Sequence, residues 1–121
     1  MHEMAIAANL VEHVVEVAQR NRARLVEEVE VEVGVLQQVV PEALTLAFTV
    51  AAAGTVAEGA RLKLTEVKAV AECRGCGQRF EATIDNYLCQ ACQRADVRIV
   101  AGNDIVLKSV VCQIDDGVPS P

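Results

Sequence analysis

Residues 73–92 read CRGCGQRFEATIDNYLCQAC, two CxxC pairs with twelve residues between them. Paired CxxC turns at this separation are the pattern of tetrahedral thiolate zinc, which makes Cys73, Cys76, Cys89 and Cys92 the expected ligands. Each turn lets two sulfurs converge on one ion while backbone N–H groups point at the thiolates, and Gly75 and Gly77 ease the tight bend. The intervening RFEATIDNYLC is long enough for a short hairpin, so 73–98 is expected to be a zinc ribbon. Four thiolates leave no coordination position for water, so the ion is structural rather than hydrolytic. Structural zinc contributes roughly 10–16 kcal/mol in small peptides, more than Phe80, Ile84 and Leu88 can supply alone. A redox dithiol explains only one CxxC at a time, and the same cage accepts iron. Cys112 stands apart and reads as a small, partly buried strand residue.

The flanking segments set the rest of the fold. On the N-terminal side, Ala7, Leu10, Val11, Val14 and Ala18 recur at helical spacing from Met4 to about Gln19, with Asn9, Glu12, His13, Glu16 and Arg20 opposite, an amphipathic helix. In LVEEVEVEVGVL, Val29, Val31, Val33 and Val35 alternate with Glu28, Glu30 and Glu32, a strand with one solvated acidic face. Pro41 opens a second helix, PEALTLAFTVAAAG, packing Leu44, Ala47, Phe48 and Ala51 and stopped by Gly54. ARLKLTEVKAVAE reads as a second strand whose facing slips near Thr65 and Glu66, the mark of a bulge. DIVLKSVVCQI reads as a third strand. The expected fold is therefore α+β: two helices packed on a small three-stranded sheet, with the zinc ribbon inserted before the last strand. The domains are then 1–72 plus 99–114, the ribbon 73–98, and a disordered tail 115–121.

The chain has 121 residues and a formal net charge of -6, with 11 Lys and Arg against 17 Asp and Glu. That balance disfavours a partner held mainly through phosphates, and two Phe, one Tyr and no Trp leave few platforms for stacking bases. No apolar run reaches the ~18 residues that span a bilayer, and a secretory leader pattern is missing. The expectation is a cytoplasmic protein, where cysteines serve as thiolate ligands rather than disulfides. There is no GxxxxGK[ST] loop, HExxH helix or GxSxG elbow, and two histidines give little scope for general-base chemistry, so the chain is not expected to be an enzyme.

The start MHEMAIAANL carries one of those histidines at position 2. The Met1 amine, the His2 backbone amide once deprotonated and the His2 imidazole could close a five- and a six-membered chelate ring. Such a nitrogen set favours square-planar or tetragonal Ni(II) or Cu(II), with Glu3 or another oxygen in the fourth position. A histidine near a chain end is ordinarily just a solvated residue, and the residues alone leave both readings open. His13 lies on the polar helix face without a second ligand in reach.

Taken together, MHEMAIAANLV, GVLQQVVPEALTLAF, GTVAEGARLKL and the two CxxC pairs followed by GNDIVLKSV closely resemble the HypA/HybF family, hydrogenase nickel-incorporation accessory proteins. The resemblance runs from Met1 to about Val111. It implies a nickel metallochaperone with nickel bound at Met1, His2 and Glu3 and zinc at Cys73, Cys76, Cys89 and Cys92. It also implies a partner GTPase, delivery of Ni(II) to the large subunit of [NiFe]-hydrogenase and, in some members, service to urease. Two departures stand out. Where some members carry an aspartate before the second helix or a histidine in the ribbon, this chain has Val40 and no histidine after His13, which leaves the fourth nickel ligand open. GVLQQVV also lacks the serine-glycine common after the first strand. The competing reading is a zinc-ribbon protein-docking module that transfers no metal, and a third is a thiol oxidoreductase using CxxC.

Overall fold

The expected helical periodicity of the N-terminal segment appears as α1, Glu3–Arg20, which buries Ala7, Leu10, Val11, Val14 and Ala18. The computed structural model describes residues 2–83, 88–89, 91–93 and 95–114; Met1 and the tail 115–121 lie outside them. After α1 come β1 (Ala23–Gly34), a 3₁₀ turn (Val35–Gln37) and α2 (Pro41–Ala52). Then follow β2 (Arg61–Val67), β3 (Ala69–Cys73), β4 (Arg79–Ala82), β5 (Val97–Ala101) and β6 (Ile105–Ile114). The strands form two three-stranded sheets, in the orders β2-β1-β6 and β4-β3-β5.

By backbone contact the described residues divide into two compact units, those within 1–31, 39–64 and 107–114 in the first and those within 32–38 and 65–106 in the second. The first unit is a helix-on-sheet layer. Fully buried Phe48 and Leu44 of α2, Val14 of α1 and Val26, Val29 and Val31 of β1 form its core. Pro41 takes the first helical position of α2, where its missing N–H costs nothing. Ala52, rather than the expected Ala51, completes the buried face. No polar or charged side chain is buried among the described residues, so this core is held by apolar packing alone.

The second unit has a much smaller core. Ala69, Ala71 and Ala82 are buried, with Val35, Leu36, Phe80, Val97 and Ile99 packed around them. β3 runs antiparallel to β4, pairing Ala69 with Ala82 and Glu72 with Arg79. It also runs antiparallel to β5, with a register shift between Val70 and Ala71. Two glycines allow backbones to approach closely here. A Cβ on Gly34 would lie 2.3 Å from the Gly102 carbonyl, and one on Gly102, whose φ is +88°, would lie 2.4 Å from Ala69 Cα. Gly34 N–H donates to Asp104 O at 2.7 Å and Leu36 N–H to Gly102 O at 3.0 Å.

The structure departs from the sequence expectations in two ways. The run 60–72 is two strands, not one with a bulge: Thr65 and Glu66 are both exposed, and the chain leaves β2 at Lys68 so that β3 can join the other sheet. β5 was not anticipated; it runs beside β3 and completes the second sheet. β4 pairs with β3, whose last residue is Cys73; Ile84 to Tyr87, where the second arm of the expected hairpin would fall, lie outside the described residues.

Candidate metal sites

The strand β3 ends on Cys73, which delivers the first sulfur directly from the sheet. The two CxxC turns close in the same way: Gly77 N–H donates to Cys73 O and Gln93 N–H donates to Cys89 O, each at 2.7 Å. The residue after each second cysteine has positive φ, +77° at Gly77 and +59° at Gln93. Of the two glycines expected to ease the first turn, Gly77 is therefore the one its backbone requires. In the second turn a glutamine takes the conformation that glycine adopts freely. This role of Gln93 was not evident from residue type, but the equal offsets of Gly77 and Gln93 from their CxxC pairs would have pointed to it.

All four Sγ atoms lie within 4.8 Å of one another. Cys73 and Cys92 approach to 3.3 Å and Cys76 and Cys89 to 3.6 Å. A tetrahedral ion with metal–sulfur bonds of about 2.3 Å requires edges of about 3.8 Å, which these separations bracket. Cys73 and Cys89 are buried, Cys92 is half-buried and Cys76 is exposed. The backbone N–H of Cys76 and then the Cys92 thiol pull Cys73 down to about 6. At Cys76 the Gln78 N–H pulls down, but the Cys89 thiol, burial and Cys73 outweigh it and push the thiol up. The neighbouring thiols thus oppose ionisation of Cys76, and a divalent cation held among them would remove that opposition. Beside the cluster, Glu72 accepts from Arg79 Nε at 3.1 Å and from Arg98 at 2.8 Å, tying β4 and β5 to β3. The Arg79 guanidinium first, then Arg98, holds the Glu72 carboxyl below the usual range.

At the other expected site, His2 is exposed and precedes the first turn of α1, its carbonyl accepting Ile6 N–H at 3.0 Å. Its side chain makes no capping bond. Met1 lies outside the described residues. Glu3 is the first residue of α1, and its Oε2 accepts the Val40 N–H at 3.1 Å. This contact joins the starts of the two helices across 37 residues of sequence, and nothing in local patterning announces it. His13 is exposed on the polar face of α1. Cys112 is half-buried on β6, its thiol pushed up by burial and then by Glu27. Among the described residues, the cysteine tetrad is the one group of His, Cys, Asp or Glu side chains close enough to hold an ion.

The family model described as hydrogenase/urease nickel incorporation, metallochaperone, HypA matches residues 1–112, which include the cysteine tetrad. The chain belongs to the HypA family. The HypA hydrogenase maturation factor of Chlorobium phaeobacteroides is 40% identical over 113 residues, covering 93% of this chain and 100% of that protein. The HypA hydrogenase maturation factor of Archaeoglobus fulgidus is 38% identical over 114 residues, covering 94% of this chain and 100% of its own length. The solution structure of the Ni metallochaperone HypA from Helicobacter pylori superposes with a TM-score of 0.74 at 26% identity, covering 95% of this chain and 100% of that one. HypA membership agrees with the expected α+β fold and its cysteine-bearing subdomain. No helix among the described residues is long and apolar enough to cross a membrane.

Proposed function

We propose that the chain is a cytoplasmic, non-catalytic nickel carrier for hydrogenase maturation. Ni(II) is its cargo, bound by the Met1 amine, the His2 amide and the His2 imidazole, with the Glu3 carboxylate alongside. Zn(II) is the resident ion, held by Cys73, Cys76, Cys89 and Cys92. In this reading 1–72 plus 99–114 carry the nickel function and 73–98 the zinc. The nickel passes, with the help of a partner GTPase, to the large subunit of [NiFe]-hydrogenase, and urease is a second client of the same chemistry.

The observation that carries this reading is the HypA match extending to the first residues of the chain. The Val40 N–H supports it by steadying Glu3 next to His2. An exposed His2 suits a carrier, since a carrier must give up its ion, and a tetrad whose deepest sulfurs are buried suits an ion that stays. Acidification weakens the nickel site, because the amine, amide and imidazole bind only when deprotonated.

The test uses untagged protein. Zinc content is measured first; Ni(II) is then titrated into wild type, His2→Ala and a variant with one extra residue before Met1. The reading expects one zinc in all three and tight nickel binding in the wild type alone. Equal nickel affinity in the extended variant would remove the terminal-amine site, and protein without zinc under reducing, chelator-free conditions would remove the zinc assignment.

A further inference from the structure

The helix α2 is apolar on two sides. Leu44, Ala47, Phe48 and Ala52 face the core, while Ala43, Leu46 and Val50, three and four residues apart, are all exposed. Leu46 is 66% and Val50 56% exposed, and Val40, just before the helix, is 51% exposed. In a surface helix these outward positions are ordinarily polar, yet Glu42 is the one charged residue in the sequence of α2.

We propose that this stripe is the docking surface for the protein that takes the nickel, a partner presenting an apolar ridge rimmed by Lys and Arg. The inference rests on the nickel-carrier reading and adds where the recipient sits. Three observations favour that occupant. The first is position: the Val40 N–H holds the Glu3 carboxylate at 3.1 Å, so the stripe begins one hydrogen bond from the proposed nickel donors, where a recipient must bring its own ligands. The second is size. A helix of 12 residues is about 18 Å long and about 10 Å wide, so its stripe falls well short of the ~1,200 Å² total of a stable interface. That suits brief docking and is too little for a lasting dimer. The third is charge. The chain carries -6, and at the end of the stripe where Val40 lies stand Glu3, bonded to the Val40 N–H, and Glu42, in the first turn of α2. A second copy is repelled by this field, whereas a cationic partner is drawn in and oriented.

The test uses the untagged, nickel-loaded full chain and, as probe, the nickel-free precursor of the [NiFe]-hydrogenase large subunit from the same organism. Nickel affinity is measured before the probe is added, for wild type, Leu46→Lys and Leu46→Met. Leu46→Lys should hold nickel normally and keep its circular dichroism, yet bind the precursor at least about tenfold more weakly, the loss of one central apolar contact. Leu46→Met should stay within about twofold of wild type, and wild-type affinity should fall as salt is raised. The proposal is overturned if Leu46→Lys binds the precursor as wild type does, or if nickel-loaded wild type has no affinity for it. It is equally overturned if wild type is a dimer that Leu46→Lys dissociates, which would give the stripe to a second copy. Wild type that holds no nickel would sink the carrier reading itself, at a step that does not involve the stripe.

Discussion

A single methyl group at position 34 tests the backbone packing of the cysteine-bearing unit. Gly34 has φ -66° and ψ 135°, angles that alanine adopts without strain, so Gly34→Ala carries no conformational penalty. Its Cβ would nevertheless lie 2.3 Å from both the carbonyl carbon and oxygen of Gly102 and 2.7 Å from Asn103 N. These are backbone atoms with no rotamer to change, so the end of β1 and the 102–104 turn must separate by about 1 Å to reach ordinary contact. Gly34 N–H to Asp104 O and Leu36 N–H to Gly102 O bridge that gap, each worth roughly 0.5–1.5 kcal/mol. Overpacking costs about 1–3 kcal/mol more, giving a total near 4 kcal/mol by these estimates. Gly77→Ala is the comparison, since Gly77 has φ +77° and nothing within 4 Å of its Cβ position, leaving only the backbone penalty of roughly 1–2 kcal/mol. Guanidinium unfolding of metal-loaded proteins with equal zinc content reads both, and about 4 kcal/mol corresponds to a melting shift of roughly 15 °C. If Gly34→Ala costs no more than Gly77→Ala, the close approach does not hold the unit together and the reasoning fails.

Removing the metal by chelation under reducing conditions should collapse the amide signals of β3, β4 and β5 while the far-ultraviolet helix signal of α1 and α2 persists; dispersed β3–β5 signals in the stripped protein would show that the ion is dispensable for that unit. Glu72 should titrate below the ordinary carboxylate value of 4.5, and Arg79→Gln should move its carboxyl resonance midpoint back up. Because that carboxyl is depressed, the stabilisation it lends is complete above about 4.5 and disappears as pH falls through the lowered value; a midpoint unmoved by Arg79→Gln would deny the clamp.

Local patterning carried far for the first unit, because its elements are settled by their own periodicity. The five residues expected on the inner face of α1 are the five it buries, and the valine alternation through Val29, Val31 and Val33 is buried as expected. The cysteine tetrad was legible for a similar reason, since the spacing itself encodes the knuckle. What escaped depends on distant partners. Residues 60–72 are β-prone throughout, and only the pairing of Ala69 to Cys73 with β4 and β5 ends the strand at Lys68. The five residues of β5 alternate too briefly to stand out, and they are a strand because β3 lies beside them. The Val40 N–H bond to Glu3 is tertiary, and a main-chain donor leaves no trace in residue identity. Gln93 shows the same limit, since its positive φ is imposed by the turn against its own preference.

The alanines at 69, 71 and 82 give the two units opposite mutational weaknesses. The first unit, built on Phe48, Leu44 and fully buried valines, fails when a side chain shrinks and leaves a void. The buried alanines of the second have almost nothing left to shrink, and they fail when a side chain grows. In a saturation library, truncations should therefore be purged at positions 44 and 48, while at 69, 71 and 82 selection should act against every added carbon. Two such opposed tolerance profiles within one short chain would locate the change from large-residue to small-residue packing without any structure determination.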